Sequence, residues 1–215
     1  MARQGMSSGV NEATEPDLAA GPDGNPRCRW ATSAPEYIAY HDDEWGRPVR
    51  DDRGLYERLC LEAFQSGLSW LTILRKREAF REAFAGFEIE RVAGFGQRDV
   101  KRLLADAAIV RNRAKIDAAI ANARAATELR EAGESLSELI WSFASPGDRP
   151  APRSFEDVPS KTPESDALAG ALKQRGFRFV GPTTAYALMQ AGGIVNDHLA
   201  GCAIRDLAEA DRQRL

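Results

Sequence analysis

Residues 175–185 read Arg175-Gly176-Phe177-Arg178-Phe179-Val180-Gly181-Pro182-Thr183-Thr184-Ala185. Upstream, Thr162-Pro163-Glu164-Ser165 has the form of a helix start, with proline in the first turn. The helix it opens runs to Gly176, a residue suited to a C-terminal cap. Downstream, Pro182 begins a new helix that Ala185, Leu188 and Met189 continue. Helix, glycine-containing turn and helix make the outline of a helix–hairpin–helix over about residues 165–192. The amides of such a hairpin, with Gly181 at the start of the second helix, can bind a DNA phosphate without a large basic patch. The same pattern also fits an ordinary antiparallel helix pair.

The spacing on either side of this segment is helical. Leu55, Leu59 and Phe64 line one helix, Ile73, Phe80 and Phe84 a second, and Val100, Leu103 and Leu104 a third, with Gln97 and Asp99 near its start. Residues 112–130 predict a long alanine-rich helix, and Leu136, Leu139, Ile140 and Phe143 mark another. Residues 145–160 hold four prolines and read as a surface loop. No stretch alternates convincingly, so no strand is expected and the fold class is all-α. Residues 1–26, rich in small residues and acids, predict a disordered tail ahead of a folded domain over 27–215.

The chain carries 29 basic and 32 acidic side chains, but residues 1–26 hold four of the acids and one base, leaving 28 of each in the body. Bulk charge therefore gives nucleic acid no positive support. Lys173, Arg175, Arg178, Arg111, Arg113 and Lys115 are candidate phosphate contacts, each also readable as an ordinary solvated charge. No apolar run is long enough to span a bilayer and no secretory signal is visible, so no membrane partner is expected. Three cysteines, Cys28, Cys60 and Cys202, are too few and odd for a disulfide framework and fit a reducing cytosol. A cytoplasmic monomer is expected.

The two histidines are more pointed. His198 and Cys202 form an H-x3-C pair, expected on one face of a helix, and Cys28 and His41 lie at the other end of the ordered chain. Two thiolates and two imidazoles are the ligand set of a closed tetrahedral zinc site, one that staples the chain ends and leaves no open position for water. Plain burial of Cys and His is the competing reading. Cys60, among apolar helix positions, reads as core.

Taken together, several segments resemble the 3-methyladenine DNA glycosylase I family. They are Arg27-Cys28-Arg29-Trp30, Tyr37-Ile38-Ala39-Tyr40-His41-Asp42-Asp43-Glu44-Trp45-Gly46, Cys60-Leu61-Glu62 with Gly67-Leu68-Ser69-Trp70, Ile109-Val110-Arg111-Asn112-Arg113, the hairpin, Val195-Asn196-Asp197-His198 and Gly201-Cys202. The resemblance covers roughly residues 27–202. It implies one structural Zn2+ on Cys28, His41, His198 and Cys202, and a base pocket from Glu62, Tyr40, Tyr37, Trp70 and Trp30. It also implies DNA contacts at Gly181 and Leu68, and a substrate of alkylated double-stranded DNA. Arg29 stands where the family usually has a small residue.

In such a pocket the aromatic faces stack on a flipped, cationic base, and Glu62, ionised or nearly so, accepts hydrogen bonds from its edge. Related hairpin glycosylases often carry a supporting Asp two residues before the His, where this chain has Asn196. Bifunctional relatives place a Lys just after the hairpin glycine, where this chain has Pro182-Thr183. The resemblance thus implies a monofunctional glycosylase that opens base excision repair on an activated base. Two rivals stay open here: a non-catalytic binder of damaged DNA, and a glycosylase of broader range.

Overall fold

The computed structural model describes residues 17–145 and 149–214. Among these, the helices are α1 (Pro35–Asp43), α2 (Asp52–Gln65), α3 (Trp70–Ala83), α4 (Ile89–Ala93), α5 (Gln97–Ala105), α6 (Arg113–Glu131), α7 (Leu136–Trp141), α8 (Pro163–Gln174), α9 (Pro182–Ala191) and α10 (Arg205–Gln213). Short polar side chains cap the start of several of them. Asp51 accepts from the Gly54 amide ahead of α2, Ser69 from Thr72 ahead of α3, Asn112 from Lys115 ahead of α6, and Thr162 from Ser165 ahead of α8. Each such cap satisfies an otherwise orphaned amide and is worth about 1 kcal/mol.

Helix α2 is central, packed against α3, α6, α7 and α9. Leu55, Leu59 and Phe64 are fully buried on it, and Phe64 meets Phe80 of α3 with ring centroids 4.6 Å apart. Burying one such ring contributes roughly 1.5–3 kcal/mol. Tyr56 keeps a polar atom in this core by donating to the Ala119 carbonyl at 2.9 Å. Cys60 is buried among the same apolar residues, as its position implies.

Helices α8 and α9 pack on each other through the turn at 175–181. Gly176 takes φ +86°, Phe177 and Val180 are buried, and Phe179 stands exposed at φ +56°. Asn122, wholly buried on α6, grips the turn from beneath: its Oδ1 accepts from the Arg178 amide at 2.7 Å and its Nδ2 donates to the Arg178 carbonyl at 3.1 Å.

Two expectations fail. Leu18–Ala20 (β1) pairs antiparallel with Pro26–Cys28 (β2), Leu18 opposite Cys28, so residues 17–26 are an ordered hairpin and not a disordered tail, and the chain is not wholly free of strand. Three-residue strands carry no alternation to detect. Their anchor is Arg27, bonded on one side to Asp23 at 2.6 Å and on the other to Asp42 at 2.7 Å. Residues 1–16, the rest of the expected tail, lie outside the described residues. In addition, His198 and Cys202 are not on a helix; they flank an irregular turn with Gly201 at φ +86°, and α10 begins only at Arg205.

Candidate active site and metal-ligand cluster

Four buried side chains from both ends of the described chain meet: Cys28 at the end of β2, His41 on α1, and His198 and Cys202 in the loop before α10. Their ligand atoms all lie within 4.8 Å of one another. His198 Nδ1 is 3.1 Å from His41 Nε2, and Cys202 Sγ is 3.5 Å and 3.7 Å from these two nitrogens.

The outer nitrogens have partners of their own. His41 Nδ1 faces Asp42 Oδ1 at 2.7 Å, and His198 Nε2 faces the Trp45 carbonyl at 3.0 Å. Carboxylate and carbonyl oxygens only accept, so each outer nitrogen carries the proton. Two inner lone pairs then point at one another beside two sulfurs. That arrangement suits a cation held between them. Burial lowers the pKa of His198, which favours the neutral ring a metal requires. Leu18, Trp30, Phe155 and Val158 close an apolar shell around the sulfurs.

A cavity of about 250 Å³ opens beside this cluster. Trp30, Tyr37 and Tyr40 come from the start of the folded chain, Glu62 and Gln65 from α2, Trp70 from the start of α3, and Ala187 and Gln190 from α9; Trp45 completes the wall. All five expected pocket residues are therefore brought together. Trp45, Gln65, Ala187 and Gln190 are additions. Gln65 follows Glu62 by three residues and Gln190 follows Ala187 by three, so helical spacing carried that signal.

The rings interlock. Tyr40 and Trp70 lie 5.3 Å apart, and Trp30 meets Tyr37 edge-on at 5.4 Å. Trp30 also meets His41 at 5.2 Å, and Trp45 meets His198 at 4.7 Å. The cavity wall and the metal-ligand cluster thus share a face. The Trp70 indole N–H is buried without a hydrogen-bond partner among the described residues.

Glu62 is 6% exposed. Burial pushes its pKa up to about 8, with Arg58 pulling weakly the other way. Burial thus favours the protonated carboxyl, against the expectation of an ionised one, until a positive charge faces it. Tyr40 is also raised well above the ordinary phenol value, by burial first and by Glu62 second.

The expected DNA contacts divide. Leu68 is 42% exposed beside the cavity-forming end of α2, and Gly181 starts α9 with open space around it. Lys115 is a correction. It is buried, and its Nζ donates to the Phe64 and Ser66 carbonyls at 2.9 Å and 2.5 Å, closing the end of α2 instead of facing solvent. Arg175 pairs with Glu134, and Arg113 with Asp117. Lys173, Arg111 and Arg178 are exposed. Asn196 does not line the cavity; its Nδ2 donates to the Arg205 carbonyl and to Glu209, both at 3.1 Å. A larger groove, about 570 Å³, runs between the start of α5, α6 and Arg178; in it Arg113 pairs with Asp117, Arg124 donates to the Ala93 and Phe95 carbonyls, and Phe95 is the one lining aromatic residue.

Residues 30–206 match the family model described as methyladenine glycosylase. The DNA-3-methyladenine glycosylase 1 of Escherichia coli (strain K12) is 48% identical over 177 residues, covering 82% of this chain and 95% of that protein. The DNA-3-methyladenine glycosylase of Haemophilus influenzae (strain ATCC 51907 / DSM 11121 / KW20 / Rd) is 45% identical, covering 82% and 96%. A crystal structure of 3-methyladenine DNA glycosylase I superposes with TM-score 0.80 at 49% identity, covering 82% of this chain and 98% of that one. The Staphylococcus aureus enzyme, solved to explain 3-methyladenine recognition, superposes with TM-score 0.79 at 36% identity, covering 83% and 96%. The chain therefore belongs to the methyladenine glycosylase family, DNA glycosylases that are hydrolases acting on N-glycosyl compounds.

Proposed function

We propose that this protein excises 3-methyladenine from alkylated double-stranded DNA, cutting the N-glycosidic bond as the first step of base excision repair. The observation that carries the reading is the convergence of one buried carboxyl, Glu62, with Trp30, Tyr37, Tyr40, Trp45 and Trp70 around a cavity of about 250 Å³. A base flipped out of the duplex is held by stacking and by contacts to its edge. A 3-methylated adenine is cationic and its glycosidic bond is already weak. Aromatic faces favour the positive charge, and that charge in turn lowers the Glu62 pKa, so the carboxyl releases its proton to solvent and becomes an acceptor when the substrate arrives. The carboxylate then stabilises the positive character of the transition state.

The reaction is hydrolysis without a lyase step. No lysine lines the cavity, and Thr183, in the first turn of α9, supplies no amine for a Schiff base. The turn at 175–181 with α8 and α9 acts as a helix–hairpin–helix that takes a DNA phosphate on its amides, while Leu68 enters the gap left by the flipped base. The domain takes in the β1–β2 hairpin that begins ahead of residue 27 and works as a cytoplasmic monomer.

The cluster of Cys28, His41, His198 and Cys202 holds one structural zinc. The edges of a tetrahedron with Zn–N near 2.0 Å and Zn–S near 2.3 Å run roughly 3.3–3.8 Å. The nitrogen–sulfur separations of 3.5 Å and 3.7 Å suit that figure. Zinc there supplies cross-linking of the chain ends, with four protein ligands and no site for substrate.

The test incubates the protein with one methylated duplex and follows base release and strand nicking. Free 3-methyladenine without nicking is expected. Failure to release base would leave only a binder of damaged DNA, and a borohydride-trapped covalent adduct would overturn the lyase-free mechanism.

A further inference from the structure

Behind the cavity lies a hydrogen-bonded chain that the proposed chemistry does not use. Asp197 is 4% exposed, and its Oδ2 accepts from the Tyr186 hydroxyl at 2.5 Å and from Gln190 Nε2 at 2.9 Å. Arg149 closes the chain, donating to the Tyr186 oxygen at 3.0 Å and lying 3.8 Å from Asp197 Oδ1. Gln190 lines the cavity, and Asp197 does not.

The two ends of an amide look alike in shape, but here their chemistry separates them. A carboxylate only accepts, so the nitrogen end of Gln190 must face Asp197. With that end anchored away from the cavity, the carbonyl end is the free edge on the cavity side. It has no protein donor among the described residues.

We propose that Gln190 is a second polar reader of the base: its Oε1 accepts an N–H of the base amino group, across the cavity from Glu62, and Asp197 is the positioning residue that fixes the amide. This rests on the cavity being the base site. Two acceptors on separate helices, α2 and α9, then grip a cationic base whose N–H groups are stronger donors than those of a normal adenine. An amide free to turn would present N–H to N–H half the time, so the Asp197 anchor converts a neutral side chain into a committed acceptor.

The experiment titrates 3-methyladenine into the full chain, read by tryptophan fluorescence. Wild type is compared with Glu62→Gln, Gln190→Met, Asp197→Asn and the Gln190→Met/Asp197→Asn double variant. Gln190→Met keeps the length and removes the acceptor, and is expected to raise Kd about tenfold with metal content and Tm held. Asp197→Asn is expected to raise Kd alone but to add nothing in the double variant, because both changes act through one hydrogen bond. If Asp197→Asn disturbs the adjacent metal cluster, Tyr186→Phe replaces it, with the same expectation of an effect in wild type and none in Gln190→Met. Unchanged Kd in Gln190→Met overturns the proposal, and additive losses overturn the positioning role. Equal binding by wild type and Glu62→Gln would instead overturn the cavity reading itself.

Discussion

Glu62 ties stability and activity to the same atom. Its pKa rises from 4.5 to about 8 because burial removes the carboxylate's water. Between those values the folded chain holds a proton that the unfolded chain has released. Stability contributed by the neutral carboxyl is therefore complete below about pH 4.5 and is lost as pH rises through about 8. Glu62→Gln should cancel this slope, so that at pH 8 the variant melts above wild type, a gain on the order of a few kcal/mol. The same variant should lose on the order of 10²-fold in kcat/KM for base release. Melting curves from pH 5 to 9 beside excision assays check both. An unchanged slope would mean that Glu62 is hydrated, and unchanged excision would remove it from the chemistry.

Two elements were read differently from sequence and from structure, and each gives a test. The turn at 175–181 is legible as a turn because Gly176, Gly181 and Pro182 punctuate it. Its support is not, because Asn122 lies 56 residues from Arg178 in the chain. Gly181 has φ −95° and nothing within 4 Å of a would-be Cβ, so Gly181→Asp fits sterically. It should still weaken duplex binding at least tenfold by placing a carboxylate beside a phosphate, with the melting point retained. Normal affinity in a filter-binding or anisotropy assay would take the turn out of the interface. The hairpin of β1 and β2 is the second element. Leu18 packs against the Cys28, Leu199 and Cys202 cluster, and Asp23 and Asp42 share Arg27. A chain beginning at Asn25 should melt about 2–6 °C below one beginning at Asp17 and release metal faster to a chelator. Identical melting would mean that β1 merely rests on the cluster.

At the scale of the molecule, the Cys28, His41, His198 and Cys202 cluster and the aromatic cavity share a wall. Trp30 touches both His41 and Tyr37, and Trp45 touches His198, so the wall of the cavity leans on the ligands. Cys202→Ala should cost several kcal/mol, since binding energy at a structural zinc is folding energy. Chelation should lower Tm and blunt the fluorescence response to 3-methyladenine together. Elemental analysis of the purified protein should find about one zinc per chain; a metal-free, fully stable protein would remove the staple.

How much of this was legible in sequence follows from the range of each interaction. The long helices, the start of α8 at Thr162 and the buried cysteine at position 60 depend on neighbours three or four residues away, so spacing alone carried them. The set Cys28, His41, His198 and Cys202 was legible because histidine and cysteine are scarce and chemically particular. Glu62 and the aromatic residues were singled out only through a family resemblance, since an isolated carboxyl or ring looks the same in a core, on a surface or in a pocket. Tertiary structure alone decided four matters. It showed that Lys115 closes α2 from the far side of a helix contact, that residues 17–26 pair as strands, and that His198 and Cys202 meet across an irregular turn. It also showed that Glu62 is buried, which pushes its pKa upward. Each depends on which distant groups displace water around a side chain, and desolvation is a property of the assembled fold, not of the local sequence.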